Sequence, residues 1–238
     1  MVDSLSPTNA LPPLVLASAS PRRRELLALL GYPFRIQSSD VEERGDPLEA
    51  TPPPLPPLGL PLDLHPTLLA WRKAREVAHA APEALVLGAD TTVVLDDQVL
   101  NKPRDAAHAA EMLQQLSGHA HRVYTGLCLF HPHLPPALEL IETVVVFREL
   151  SAAEIAAYIA SGDPLDKAGA YGIQSGAGHF VAEVRGSFTN VVGLPLGTVH
   201  DLLRRAGLAG LADPTVAYQR WLSQQSSEEA QRWQTTLV

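Results

Sequence analysis

The sequence predicts a mixed α/β fold in which one central sheet is flanked by helices. Two observations carry this prediction. Strand-like apolar runs alternate with helical patterns in the first half of the chain, which is typical of a sheet covered by helices. In the second half, β-like segments follow one another across turn-rich sequence, which indicates hairpin pairing. The chain has 238 residues and no internal repeat, a length that suits one large domain or two lobes around one cleft.

The amino-terminal part is predicted to contain a strand, a helix and a second strand. A hydroxyl-rich turn follows the first strand, and Pro21 then occupies the first position of a helix with Ser20 as its N-cap. The apolar pattern of that helix stops at Gly31. The predicted segments are a strand at 13–17, a helix at 22–30 and a strand at 34–37.

A proline-rich segment then interrupts the pattern. Residues 47–66 include eight prolines, so this stretch is predicted to be neither a regular helix nor a central strand. We interpret residues 45–66 as an insertion into a single domain that spans residues 13–210. Residues 1–12 are predicted to be a disordered tail, and residues 211–238 a carboxyl-terminal extension.

The remainder of the domain continues with helices and strands. A buried-type strand leads into Asp90, and Asp96 and Asp97 mark the tip of a hairpin. Ser151 and Glu154 form a capping box at the start of a later helix. The predicted helices are 68–80, 105–116, 151–159, 195–205 and one around 218–222, and the predicted strands are 84–89, 93–95, 99–100, 122–130, 138–147 and 180–184.

The composition excludes several classes of function. A net charge of −8 argues against a nucleic-acid-binding surface, which normally shows a basic excess. No apolar run approaches ~18 residues, so no membrane-spanning helix is expected. The amino terminus lacks the pattern of a signal peptide, and the single cysteine, Cys128, lies in an apolar run as a buried hydrophobe would. We therefore expect a cytoplasmic protein.

The turn at the start of the first helix has the composition of a phosphate-binding site. Ser18 and Ser20 precede a helix amino terminus, where backbone amides are unpaired and the dipole favours an anion. Arg22 and Arg23 add guanidinium donors. The alternative is an ordinary N-cap followed by solvated arginines. Basic residues in a first helical turn are unfavourable without an anion, and this favours phosphate binding.

Acidic residues follow two of the predicted strands. Glu42 and Glu43 come after the second strand, and Asp90 follows the buried strand ALVLGA. Carboxylates at strand ends suit Mg²⁺ or Mn²⁺, which bridge to substrate phosphates. We therefore predict Asp90 and Glu43 as metal ligands. The nine histidines carry no metal-binding motif, and we predict that the pairs His119/His121 and His131/His133 lie in solvated turns.

Lysine is unusually scarce, which singles out the three that remain. The chain has 15 arginines but only Lys73, Lys102 and Lys167, so each lysine is a candidate for a position that arginine cannot fill. Lys102 precedes a proline just past a strand, which holds it in extended backbone. Lys167 opens the glycine-punctuated segment KAGAYGIQ, in which Gln174 is suited to reading the edge of a base.

Several motifs in order resemble one family, the Maf septum-associated proteins. The segments that carry the resemblance run from LASASPRRRELLALLG through VLGADTTVVLDDQVLNKPR to DKAGAYGIQ and GSFTNVVGLPL. The resemblance covers residues 14–205, with the proline-rich insertion as an interruption. The insertion, the last 30 residues and Ser175, where glycine is expected, depart from the family pattern.

The resemblance implies a fold similar to inosine triphosphate pyrophosphatases, with two lobes around a deep cleft. It implies hydrolysis of a nucleoside triphosphate between the α and β phosphates with a divalent metal. Asp90 then resembles the proton acceptor, and further positions are tied to activity or to the dTTP/UTP subgroup. The positions tied to activity are Glu43, Lys73, Lys102 and Gln174, and those that distinguish the subgroup are Arg23, Thr91 and Gln174.

Two alternatives stay open beside this hypothesis. One is a nucleotide-binding regulator of cell division with little turnover. The other is a phosphatase of the haloacid dehalogenase type, but that class requires DxDx[TV], and GADTTVV lacks the second aspartate. The expected partner is the nucleotide substrate, and a homodimer is an assembly that the sequence leaves open.

Overall fold

A computed structural model describes residues 12–39, 41 and 51–224 of the chain. Within these residues seven strands form one sheet in the order β2-β1-β3-β5-β6-β7, with β4 paired to β3. β1 is parallel to β2 and to β3, and the remaining pairs are antiparallel. The strands are β1 Leu14–Ala17, β2 Phe34–Ile36, β3 Leu85–Leu95, β4 Gln98–Leu100, β5 Ala120–His131, β6 Leu134–Phe147 and β7 Val181–Arg185.

Helices flank this sheet, so the predicted mixed α/β fold is confirmed. Ser20 caps the first helix by accepting a hydrogen bond from the backbone amide of Arg23, and Ser151 and Glu154 form the predicted capping box. The helices are α1 Pro21–Ala28, α2 Pro66–Ala80, α3 Ala106–Leu116, α4 Ala152–Ala160, α5 Phe188–Val192, α6 Leu196–Arg205 and α7 Pro214–Leu222. The short helix α5 is one that the sequence patterns did not predict.

The prediction that Asp90 ends a strand is wrong. Residues 84–89 and 93–95 belong to one continuous strand, β3, and Asp90 lies in its middle opposite Gly126 of β5. The strand continues because the residues after Asp90, TTVV, are β-branched and pair with β5 over their whole length. The hairpin at Asp96 is confirmed, since β3 turns there into β4.

The sheet separates two apolar clusters. On one face Val15, Val86 and Cys128 pack against α2, and on the other face the larger core includes Leu14, Leu16 and helices α1 and α3. Cys128 is fully buried, as predicted, and burial raises the pKa of its thiol.

The described part of the predicted carboxyl-terminal extension packs against the domain. Tyr218 of α7 is fully buried, and its ring lies 5.9 Å from the ring of Phe188. Trp221 of the same helix stacks on Tyr218 and lines the cleft described below. Helix α7 is therefore continuous with the core.

Helix α2 approaches the sheet closely because glycines lie beneath it. A Cβ atom at Gly126 of β5 would lie 2.2 Å from the backbone nitrogen of Thr67, and one at Gly88 of β3 would lie 2.3 Å from the carbonyl oxygen of Ala70. The close approach brings Lys73 of α2 to Asp90 of β3. Helix packing at this point is therefore directly coupled to the geometry of the cleft.

Gly126→Ala is expected to lower the free energy of unfolding by about 3 kcal/mol, since the new methyl group meets backbone that cannot rotate away. Urea unfolding followed by circular dichroism measures the change. Gly59→Ala is the matched control, because nothing lies within 4 Å of a Cβ atom there. The control should stay within about 0.5 kcal/mol of the unchanged chain. Equal stability of the two variants would show that α2 can shift away from the sheet.

Candidate active site

One cleft of about 970 Å³ brings together the predicted site residues that the structure describes. The cleft is lined by residues of the turn into α1, of α2, of β3 and of the segment 163–175. Glu43 lies outside the described residues. The predicted residues that line the cleft are Ser18, Ser20, Arg22, Arg23, Lys73, Asp90, Thr91, Lys102, Lys167 and Gln174.

The turn between β1 and α1 is held in shape by its own hydroxyl groups. The Ser18 Oγ accepts hydrogen bonds from the backbone amide of Ser20 at 3.2 Å and from Nη1 of Arg23 at 3.4 Å. Ser20 caps α1, so both predicted serines orient the helix amino terminus. The turn faces the cleft, where unpaired amides and the helix dipole favour an anion.

Arg23 is braced by the protein. Its Nε donates to the carbonyl oxygen of Gly193 at 2.9 Å, and its Nη2 donates to the hydroxyl of Thr91 at 3.1 Å. Arg23 and Thr91, which the resemblance assigned to one set of subgroup positions, thus contact each other at the cleft wall. Most of the guanidinium fork is directed to protein acceptors, so Arg23 orders this wall as well as adding positive charge to it.

A buried polar network behind Thr91 was missed by the sequence analysis. The hydroxyls of Thr91 and Thr125 lie 3.0 Å apart, and Thr125 donates to the backbone oxygen of Asn190 at 3.1 Å. The side-chain amide of Asn190 donates to the carbonyl of Val123 and the hydroxyl of Thr143, both at 3.0 Å. The sequence feature that could have indicated this network was the presence of polar residues inside two apolar stretches, VYTGLCLF and FTNVV.

Lys73 and Asp90 form an ion pair at the base of the cleft. The Nζ of Lys73 lies 2.7 Å from Oδ1 of Asp90, and each residue is only 8% exposed. A charge-assisted hydrogen bond with this little solvent fixes the position of the carboxylate. Asp90 therefore lines the cleft with its carboxylate oriented by Lys73.

The described residues hold no cluster of three or more metal-binding side chains. Mg²⁺ does not require such a cluster, because it keeps several water ligands and commonly binds one or two carboxylates together with substrate phosphates. The carboxylate of Asp90, lining a cleft rich in phosphate-binding groups, is compatible with that mode of binding.

Lys102 and Gln174 line the cleft, and their side chains make no hydrogen bond or ion pair with other described residues. Lys102 follows β4, is exposed, and makes no ion pair or side-chain hydrogen bond with any described residue. Gln174 is half-buried, and its amide likewise has no hydrogen-bond partner in the described part of the chain. Both are therefore available to a ligand.

Lys167 is held by two aspartates. Its Nζ lies 2.6 Å from Oδ1 of Asp166, 2.9 Å from Oδ1 of Asp163 and 2.6 Å from the backbone oxygen of Asp163. Asp163 also accepts hydrogen bonds from Ser175 and Tyr158. Burial alone would raise the pKa of Asp163, but these hydrogen bonds and the ammonium of Lys167 lower it overall. Lys167 thus lines the cleft with its donors already in use.

The prediction that His121 lies in a solvated turn is wrong. His119 is exposed, but His121 is on β5, is only 2% exposed, and its Nε2 lies 2.8 Å from the hydroxyl of Tyr171. Burial lowers the pKa of His121 to about 4, so the ring is neutral at physiological pH. The strand begins two residues earlier than predicted, which moves His121 into the core.

Comparisons with known proteins agree with the resemblance in the sequence. Residues 13–206 match the family model of Maf-like proteins. The chain is 51% identical over 199 residues to a dTTP/UTP pyrophosphatase of Anaeromyxobacter dehalogenans, covering 82% of this chain and 95% of that protein. It is 50% identical over 196 residues to a dTTP/UTP pyrophosphatase of Moorella thermoacetica, again covering 82% and 95%.

Among solved structures, a nucleoside-triphosphatase / dITP/XTP pyrophosphatase from Mycobacterium abscessus is similar with a TM-score of 0.35 and 16% identity, over 59% of this chain and 76% of that one. That likeness is too weak to bear on the fold. No helix among the described residues is long and apolar enough to cross a membrane. The match to the family model and the identity to the two pyrophosphatases extend over most of the chain, and the chain belongs to the Maf family.

Proposed function

We propose that this chain hydrolyses nucleoside triphosphates between the α and β phosphates, releasing a nucleoside monophosphate and pyrophosphate, with dTTP and UTP as preferred substrates. The observation that carries the proposal is the convergence of ten predicted residues, from several distant segments of the chain, on one cleft. The names of relatives that are about half identical over most of the chain, each a dTTP/UTP pyrophosphatase, support the same reaction.

The cleft is suited to a polyphosphate because it combines cations with a helix amino terminus. Phosphoryl chemistry depends mainly on positioning and charge stabilisation, and a triphosphate brings about four negative charges. In the proposal Arg22 and Lys102 contact phosphate oxygens, while Ser18 and Ser20 orient the amides of α1. Arg23 and Lys73 contribute positive charge from the wall, and Lys167 does so when its carboxylate partners are displaced.

We assign Asp90 as the general base that accepts the proton of the attacking water. It lies in the middle of β3 and is oriented by Nζ of Lys73 at 2.7 Å, and in the proposal its carboxylate accepts the proton. We further propose that Mg²⁺ or Mn²⁺ binds beside Asp90, with Glu43 as a second candidate ligand. When bound, such an ion would neutralise phosphate charge and lower the pKa of a bound water.

Gln174 is the group that we assign to recognition of the base. Its amide carries both a donor and an acceptor, and the imide edge of uracil and thymine offers both in return. The side chain is half-buried and makes no hydrogen bond with the other described residues, so a base can satisfy it. The contact of Arg23 with Thr91 gives the neighbouring wall a fixed shape, which supports selection among nucleotides.

The cytoplasm is the compartment that we propose for this reaction. The buried free thiol of Cys128 is compatible with a reducing compartment. The net charge of −8 is compatible with free nucleotides, rather than nucleic acid, as the ligand. A homodimer is a further hypothesis, and light scattering coupled to gel filtration tests it.

A nucleotide panel tests the reaction. With Mg²⁺ or Mn²⁺ present, UTP and dTTP are expected to be hydrolysed faster than ATP and GTP, with pyrophosphate as the product. Orthophosphate as the main product, or ATP as the best substrate, would contradict the proposal. Tight binding of UTP without release of pyrophosphate would favour the alternative of a nucleotide-binding regulator.

A further inference from the structure

Asp166 lies between two cations that come from different segments of the cleft lining. Its Oδ1 is 2.6 Å from Nζ of Lys167, and its Oδ2 is 3.5 Å from Nη1 of Arg22. Arg22 belongs to the first turn of α1, which we have assigned to phosphate contacts, while Asp166 ends the short 3-10 turn Asp163–Asp166. One carboxylate therefore contacts a cation of α1 and a cation of its own segment.

The two aspartates that hold Lys167 differ in their surroundings. Asp163 also accepts hydrogen bonds from Tyr158 and Ser175, which tie it to the wall. The side chain of Asp166 is 67% exposed, and the hydrogen bonds it accepts from described side chains come only from Lys167 and Arg22. Asp163 thus serves the structure of the wall, whereas Asp166 is an exposed carboxylate at the surface of the cleft.

We propose that Asp166 is an internal anion that occupies Arg22 and Lys167 in the ligand-free protein and competes there with polyphosphate. The inference rests on the proposed function, since it concerns the same cleft. A carboxylate and a phosphate oxygen bind the same donors of guanidinium and ammonium groups. A ligand phosphate must displace Asp166 from both cations, and the carboxylate returns when the ligand leaves. Asp166 thereby weakens retention of pyrophosphate and favours product release.

The competition is electrostatic and should be measurable even near solvent. Although partial burial alone would raise the pKa of Asp166, the hydrogen bond and the charge of Lys167 lower it overall, so the carboxylate is ionised at neutral pH. A ligand with several negative charges within a few ångströms of this group is repelled, and removal of one like charge at such a distance changes binding by about tenfold. The same removal is expected to cost little stability, because Asp166 is 67% exposed and Lys167 keeps Asp163 as a charged partner.

Asp166→Asn tests the inference, with Asp201→Asn as its matched control. Asp201 is 72% exposed on α6, pairs with His200 and is not part of the cleft lining. Each variant removes one negative charge from the chain. Calorimetry with pyrophosphate at fixed Mg²⁺ is expected to show about tenfold tighter binding for Asp166→Asn than for the unchanged chain, and no change for Asp201→Asn. Product inhibition of UTP hydrolysis should strengthen by the same factor.

A second variant identifies the cations that are involved. If Asp166 competes for Arg22, the gain in pyrophosphate affinity from Asp166→Asn should be much smaller in the Arg22→Gln background than in the unchanged chain. Affinity in Asp166→Asn that is equal to that of Asp201→Asn, or weaker, would overturn the inference, because Asp166 would then orient the cations for the ligand. If the unchanged chain hydrolyses UTP while Asp166→Asn shows no gain in affinity, the inference about Asp166 is wrong and the proposed function stands. A chain that neither hydrolyses UTP nor binds pyrophosphate would overturn the proposed function as well.

Discussion

Replacing Asp90 by asparagine is expected to lower kcat by about 10³-fold, because a positioned base in the transition state typically contributes between 10² and 10⁴. Asparagine has the shape of aspartate but cannot accept a proton from water. The carboxylate of Asp90 is held in place, since Asp90 lies in the middle of β3 and its carboxylate is 2.7 Å from Nζ of Lys73. Pyrophosphate release at saturating UTP measures the loss.

Stability has to be followed in the same experiment, because Asp90→Asn removes the carboxylate that pairs with Lys73 at 2.7 Å. Breaking a buried ion pair from one side costs about 3–5 kcal/mol in fully buried sites, and less is expected here because the pair lines an open cleft. Asp90→Glu is the companion variant. It keeps a negative charge near Lys73 and should retain the melting temperature, yet its displaced carboxylate should still lose at least about tenfold in kcat. A folded Asp90→Asn variant with turnover within tenfold of the unchanged chain would exclude Asp90 as the base.

The sequence was sufficient to predict ten of the residues that meet in the cleft, most of them from local chemistry and others, such as Thr91, from the family resemblance. A hydroxyl-rich turn before a helix with two arginines can be recognised without a structure. The scarcity of lysine, with three lysines against 15 arginines, can be recognised in the same way. The helix caps at Ser20 and Ser151 are local as well, and both are present as predicted. Such features depend on a few neighbouring residues, so a linear pattern contains the information.

Features that depend on contacts distant in sequence were not predictable in this way. The hydrogen bond between Arg23 and Thr91 joins residues 68 positions apart, and that between Thr125 and Asn190 joins residues 65 apart. The engagement of Lys167 by Asp163 and Asp166 depends on a turn whose shape the sequence pattern did not specify. His121 was placed in a turn because its strand could not be delimited without its partner, β6, which pairs with β5 from Ala120 onward.

Lys102→Ala is expected to lower kcat/KM by at least about 10²-fold, the usual effect of losing one donor to the transition state. Lys102 is exposed at the cleft and makes no ion pair with a described residue, so its ammonium is available to a phosphate. The exposure also means that replacement should leave the fold intact. Thermal unfolding within a few degrees of the unchanged chain is therefore part of the expected result.

Lys102→Arg should lie between the unchanged chain and Lys102→Ala, although it keeps the charge. The backbone on both sides is fixed, since Pro103 is buried and the carbonyl of Asn101 accepts a hydrogen bond from the amide of Gly169 at 3.3 Å. The chain cannot retreat to accommodate a longer side chain, and a planar guanidinium needs two acceptors in a plane where an ammonium needs one. Arg204→Lys on the exposed face of α6 is the control and should change turnover by less than about twofold. Full activity in Lys102→Arg would show that the scarcity of lysine reflects composition alone, whereas a loss confined to Lys102 would show that this position requires the compact charge.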